Sequence, residues 1–492
     1  MNATEETKAI TAKPAPAASS IQPDPLTNAA LFASLPPPWP HDPLPAIRRA
    51  LAVSGQKVVV LDDDPTGTQT VQDTPVLTEW PVEALARELI SHHPVFYLLT
   101  NSRSLPPDDA AALNLEIARH LTEASRRTGR SFVVVSRSDS TLRGHFPVET
   151  DALAHALNLG LGTCLLIPFF EAGGRFTVGD VHYVTEGGAL VPAGEAAFAR
   201  DDTFGYRASN LREWVEEKTG GRILARQVTS ISIEDIRCGG PDRVCKRLMG
   251  LTGVPMCVVN AAAHRDLEVF VQGLLAAEKQ GRRFLYRSAA SFVAARAGLV
   301  LRPLLNTSEL SLPASGPELI IAGSHVPQSS EQLIRLLRAV DELASVEIKV
   351  PELQHKPTRA KELGRVRRAV DDALRAGRKT LVYTSRRLIA GADATESLAI
   401  SRHVSDALVE VAQSVSVRPR YIIAKGGITS SDIATRGLGV KRAMVRGQLL
   451  PRVPVWELGP ETHFPGLIYV VFPGNVGGPD ALVEAVHNLQ ST

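Results

Sequence analysis

The sequence predicts an α/β protein of two domains, each built on a mainly parallel sheet. Three observations predict it. At 492 residues the chain exceeds the usual size of one domain. Short apolar runs rich in Val, Ile and Leu alternate with longer segments of helical spacing, the pattern of strands buried on both faces. The alternation also occurs twice, on either side of the polar stretch "LLNTSELSLPASGPE" at 304–318.

Taken in order, the first segment is "MNATEETKAITAKPAPAASSIQPDP". It has neither a basic start nor an apolar core, so no secretory signal is expected. Its Ala, Pro, Thr and Ser content suits a disordered leader, placed at 1–45. The first domain follows at 46–303, with strands expected at 57–61, 95–99, 132–136, 163–167 and 255–260 and helices at 82–91, 107–127 and 264–280. Residues 172–210 are richer in Gly and aromatics and read as a β-rich or looped insertion. A linker at 304–316 leads to the second domain, 317–492. Its strands are expected at 318–322, 345–350, 380–384, 420–424, 442–445 and 467–472, and its helices at 328–342, 357–376, 395–415 and 479–490.

Composition narrows the function. The net charge is +2, with no large acidic or basic block, which argues against a nucleic-acid partner. A small anionic substrate needs only a local basic pocket and stays open. No run of about 18 apolar residues offers a membrane span. The four cysteines form no C-x-x-C pair and the thirteen histidines no H-x-x-x-H pair, so neither a disulfide framework nor a zinc site is expected. A reducing cytoplasm is the simplest home.

In open α/β sheets, ligands sit beyond the carboxyl ends of strands. The first expected strand runs straight into Asp62, Asp63 and Asp64, then Pro65, Thr66 and Gly67. Adjacent carboxylates repel, and a cation, a proton or a hydrogen-bonded ligand would relieve them. The same residues are also turn formers. After the third strand, "SRSDSTLRGHFPVE" brings Arg137, Asp139, Ser140, Thr141, Arg143 and Gly144 together, a set suited to a carboxylate or phosphate. "PFFEAGGRFTVGD" adds Arg175.

In the second domain three strands run into glycine and then a helix: "IIAGSHVPQSSEQ", "IIAKGGITSSDIA" and "VVFPGNVGGPDAL". Together they suggest backbone amides and helix N-termini turned towards phosphates. None matches the P-loop pattern, and none matches G-x-G-x-x-G after a strand.

"VVVLDDDPT" also fits the nucleophile motif of haloacid-dehalogenase-like phosphatases, with Asp62 attacking phosphorus and Asp64 as acid/base. The threonine of "LLTNSR" fits that superfamily's second mark. The later strands lack the further acidic pair, and the glycine-rich second domain goes unexplained.

With these junctions in view, the chain resembles the four-carbon acid sugar kinase family over about 55–490. The family's A-D-D-x-T-G-A is similar to "DDDPTGT", and its K-x-D-S-T-x-R-G to "RSDSTLRG", with Arg137 for the lysine. Its G-R-x-x-x-x-G is similar to Gly174, Arg175 and Gly179, which stand one residue closer together. Its G-S, G-G-x-T-S and S-G-N-x-G match residues 323–324, 426–430 and 473–477, with Pro473 for the serine. Asn260 stands where members often carry an acid.

The resemblance implies an acid sugar on the first domain, ATP with Mg2+ on the second, and an active site in the cleft between them. It implies catalytic Asp63, Asp64 and Asp139, and substrate contacts from Asp64, Arg137, Asp139, Ser140, Arg143, Gly144 and Arg175. Metal would fall to Asp62 and Asp63, and the nucleotide to Ser324, Gly426, Gly427, Ile428, Thr429 and Gly474. The partners are then small molecules, and a homodimer stays open.

Overall fold

The computed structural model of the protein describes residues 28–160, 162–300, 302–386 and 394–490. Its strands are β1 (Lys57–Asp62), β2 (Thr74–Leu77), β3 (Val95–Leu99), β4 (Phe132–Arg137), β5 (Thr163–Ile167), β6 (Arg175–Val178), β7 (Val181–Glu186), β8 (Ala189–Pro192), β9 (Val228–Ile231), β10 (Met256–Val259), β11 (Phe284–Ser288), β12 (Leu319–Ala322), β13 (Ala344–Ile348), β14 (Thr380–Thr384), β15 (Tyr421–Lys425), β16 (Arg442–Leu450), β17 (Val453–Leu458) and β18 (Ile468–Phe472).

Fifteen of them form one continuous sheet, in the order β13-β14-β12-β15-β18-β17-β16-β2-β3-β1-β4-β11-β5-β10-β9. Neighbours are parallel except around β16, which runs antiparallel to β2 and β17, and between β17 and β18. Helices cover both faces. The run Val58–Leu61 shows why its residues are apolar throughout: Val58 and Val60 pack into one core layer, Val59 and Leu61 into the opposite one.

Chain order places two crevices. From β1 the chain moves to β3 on one side and later to β4 on the other. From β12 it moves through β13 and β14 on one side and to β15 on the other. Each is a topological switch point, where crossovers diverge and leave the strand ends open. The acids at 62–64 lie at the first and the glycine corners at 323 and 426 at the second.

Several expectations need correction. β2, β9, β11 and β17 were not foreseen, and β16 runs to Leu450 rather than 445. The insertion at 172–210 is the β-rich alternative, a three-stranded antiparallel sheet β6-β7-β8. Residues 1–27 of the expected leader lie outside the described residues. Residues 28–45 are built into the first domain. They hold the helix Asn28–Ala33, Arg237 donates to Pro36 O at 2.8 Å, and Asp42 pairs with Arg265 at 2.6 Å. The helix Leu44–Ser54 crosses the expected boundary at 46. The stretch 304–316 is not a free linker, because Leu305 N donates to Gln448 O at 2.7 Å and Leu310 packs in the second domain's core. No helix among the described residues is long and apolar enough to cross a membrane.

Candidate active site

Arginines from the next strand ends answer the repulsion among the three acids. Asp62, 1% exposed, pairs through Oδ1 with Arg137 at 3.0 Å. Asp63, also buried, receives two bonds from Arg103, at 2.5 and 3.2 Å, and lies 2.6 Å from the Ser138 hydroxyl. Asp64 receives Arg103 Nη1 at 3.0 Å and the Thr66 amide at 2.8 Å. Burial alone would raise the Asp64 carboxyl, but Arg103 and Thr66 outweigh it and hold it below the ordinary value. For Asp62 burial wins over Arg137, and the carboxyl is pushed up to about 7.

These contacts correct the metal expectation. Both oxygens of Asp63 are engaged, and Asp62 faces inward, with Gly67 pressed so close that a Cβ there would stand 1.8 Å from Asp62 Oδ2. Among the described residues no group of three or more acidic, histidine or cysteine side chains is placed to hold a metal. The acid cluster therefore does not fit a resident Mg2+. The phosphatase reading fails on the same geometry. Asp62 is shielded from attack, and the Thr100 hydroxyl donates to Asp62 main-chain O at 2.9 Å instead of facing a ligand.

A cavity of about 270 Å³ opens beside the cluster. Asp63, Asp64, Asn101, Arg103, Ser104, Arg143, Asp201 and Phe204 line it from the first domain, and Ile428, Ser431 and Asp432 from the second. Arg143 is braced by Asp139 at 2.7 Å and Asp201 at 3.5 Å, and lies over the Phe198 ring at 5.1 Å. Burial would raise Asp139, but Arg103 and Arg143 outweigh it and keep its carboxyl well below the usual carboxylate range.

Of the other expected residues, Arg137 is spent on Asp62 and reaches neither this cavity nor the second, which corrects its assignment as a substrate contact. Asp139 stands behind Arg143. Ser140 is buried, its carbonyl 2.8 Å from His182 Nε2. Gly144 lies against Ser138, Arg287 and Asp63. Arg175 also stands over the Phe198 ring, at 5.7 Å. Arg103 was missed. It follows β3 in "TNSR", so the strand-end rule that singled out 62–64 points to it equally well.

The second cavity, of about 650 Å³, joins all the expected residues of the second domain: Ser324, Gly426, Gly427, Ile428, Thr429 and Gly474. Its size is that of an ordinary ligand pocket. Apolar side chains Val326, Val350, Val404 and Leu408 form part of its wall. Gly426 has φ 120°, which a residue with a Cβ rarely adopts, and a Cβ there would meet Ser324 and Thr429 at 3.1 Å.

Asp64 and Ile428 line both cavities, so the two are contiguous. The domains touch beside that passage: Asn101 Nδ2 donates to Ser431 Oγ at 2.5 Å.

Comparison with known proteins adds the following. The family described as "Sugar-binding N-terminal domain" matches residues 58–296, and "Nucleotide-binding C-terminal domain" matches 319–482. A D-threonate kinase of Cupriavidus necator is 26% identical over 402 residues, covering 78% of this chain and 85% of the relative. Among solved structures, a Haemophilus influenzae protein superposes with a TM-score of 0.62 at 19% identity, covering 88% of this chain and all of its own. A Salmonella typhimurium LT2 protein carried under a provisional tRNA synthase label gives 0.64 at 17% identity, covering 87% of this chain and 98% of its own. At such identities the two structures speak for the fold alone.

Proposed function

The chain belongs to the four-carbon acid sugar kinase family, a family of phosphotransferases, and from that premise we propose that it transfers the γ-phosphoryl group of ATP to a hydroxyl of a small acid sugar. The sugar is a tetronate, a 3-oxo-tetronate or a related aldonate, and it occupies the smaller cavity. The observation that carries the reading is the pair Asp64 and Ile428, shared by a cavity lined with charged groups and a larger one lined with glycine corners.

Arg103 and Arg143 meet the sugar's carboxylate with forked donors. Asn101, Ser104 and Asp201 lie within the same wall and meet its hydroxyls. Asp64, held ionised, accepts the proton of the attacked hydroxyl as its oxygen bonds to phosphorus. Asp63 and Asp139 position the two arginines. Backbone groups at 426–429, with Ser324 and Gly474, hold the nucleotide, and the apolar side chains of the larger cavity receive its base. Phosphoryl transfer asks mainly for positioning and charge stabilisation, which is what this set of groups can supply.

The test is a coupled ADP-release assay over a panel of tetronates, 3-oxo-tetronates and branched acid sugars. ADP release dependent on one class of acid sugar is expected. A folded protein that binds ATP yet releases no ADP with any of them would overturn the reading. A cytoplasmic setting and a homodimeric state belong to the same proposal, and fractionation and light scattering check them.

A further inference from the structure

Lys425 ends β15, one residue before the corner at Gly426, and its side chain is fully buried. Among the described residues no carboxylate bonds to its ammonium. The ammonium donates to Pro473 O at 2.7 Å and Gly474 O at 3.3 Å, and stands 4.0 Å from the centre of the Phe472 ring. The Lys425 carbonyl accepts from Gly323 N at 3.2 Å and Ser324 N at 3.3 Å. Ser329 Oγ closes the set, donating to Gly474 O at 2.7 Å. One residue thus ties together all three glycine corners of the larger cavity.

Burying a charge without a counter-charge is unfavourable, and an apolar side chain of similar length would fill the space at less cost. The ammonium has a use if the cavity receives a strongly anionic ligand. We propose that Lys425 is the positioning residue of the nucleotide site: it clamps the 473–474 corner against 426–427 and sets an uncompensated positive charge beneath the bound polyphosphate. The inference rests on the nucleotide reading of this cavity.

His325 is on the wall of the larger cavity, and Asp432, on the wall of the smaller one, is engaged by Ser405 and Arg436. Burial pushes the Lys425 ammonium down from 10.5 to about 7. Above pH 7 the empty protein therefore carries Lys425 largely neutral. A polyphosphate beside it favours the charged form and raises its pKa again. Binding should then take up a proton between pH 7 and the ordinary lysine range, and affinity should fall as pH rises through that window.

Calorimetric titration of the full chain with ADP at pH 8, in two buffers of different ionisation enthalpy, reads this directly, because ADP's own phosphates are ionised there. Uptake of a substantial fraction of one proton is expected. K425M should weaken ADP binding by about tenfold or more, the equivalent of a one-unit pKa change, and abolish the uptake. The acid-sugar KM should stay within about twofold. K425R, always charged, should lose the uptake while binding ADP better than K425M does. ADP binding by wild type without proton uptake, or K425M binding ADP as tightly as wild type, overturns the inference alone. Failure of the wild type to bind ADP overturns the nucleotide reading, and this inference with it. If K425M does not fold, the wild-type uptake decides.

Discussion

Replacing Asp64 with Asn separates catalysis from folding at one position. Asn keeps an acceptor for the Thr66 amide, and Arg103 keeps both its bonds to Asp63, at 2.5 and 3.2 Å. What is lost is one charge-assisted bond, 3.0 Å long, to a side chain 26% exposed. Such a bond contributes about 1 kcal/mol net. For a domain of this size that lowers Tm by about 2–4 °C. The chemical loss is much larger, because the amide cannot take a proton. A positioned general base contributes about 10²–10⁴ in rate, or about 3–5 kcal/mol of barrier. The expected result is kcat down by at least about 10² in the coupled ADP assay, with ADP binding retained by calorimetry and a melt within a few degrees of wild type. A D64N protein that turns over within about tenfold of wild type removes Asp64 from proton transfer.

Arg143→Ala should raise the acid-sugar KM by about 10²-fold or more and leave the ATP KM within about twofold, since a buttressed guanidinium facing a carboxylate makes a strong charge-assisted pair; equal rises in both would refute the division of labour between cavities. Gly426→Ala should raise the ATP KM by about tenfold or more with the sugar KM held, because the positive φ and the 3.1 Å contacts force the corner to shift; wild-type ATP kinetics would show the corner is not used. Asp62 gives a pH test. Its folded carboxyl titrates near 7 against 3.8 for the free group, so between those values the folded chain holds a proton the unfolded chain has lost. Its contribution to stability is present below pH 3.8 and is lost as pH rises through 7. Denaturant midpoints should therefore show Asp62→Asn gaining on wild type from pH 5 to pH 8, and a parallel pH course for the two proteins refutes the assignment.

What could be read in the sequence was whatever depends on local pattern. Strands such as Val58–Leu61 and Tyr421–Lys425 are continuous apolar runs, and the residues following them reach the two switch points. The missed strands depend on distant partners. β2 has four residues, one of them Pro75, and it is held as a strand between β3 and β16, the latter more than 360 positions away in sequence. β11 reads poorly because it carries Arg287, a buried cation whose partner Glu149 lies on a different element. The site follows the same division. The six positions around the second-domain glycines fall on one cavity because their geometry is backbone geometry. The carboxylates were located but their partners were not. Three adjacent acids call for positive charge, and no local pattern says whether a metal or a guanidinium supplies it. Arg103 does so after a non-apolar stretch in which Asn101 adopts φ 51°.

The seam between the domains bears on how the enzyme closes. β2 and β16 join the two halves of the sheet through residues Thr74–Leu77 and Arg442–Val445, so the domains cannot separate without breaking a ladder. Closure over both ligands, as the proposed function requires, would then be a change of twist about that seam rather than a separation of the domains. The loop between β1 and β2 begins with Asp63 and Asp64 and ends in the seam. Midway along it, the second domain's Trp456 Nε1 donates to Thr68 Oγ1 at 3.2 Å. Twisting the seam therefore acts on the segment that carries Asp64, while Asn101 and Ser431 hold the cleft's other side. The acid proposed to take the proton is thus attached to the element joined to the seam, which would link completion of the site to closure over both ligands.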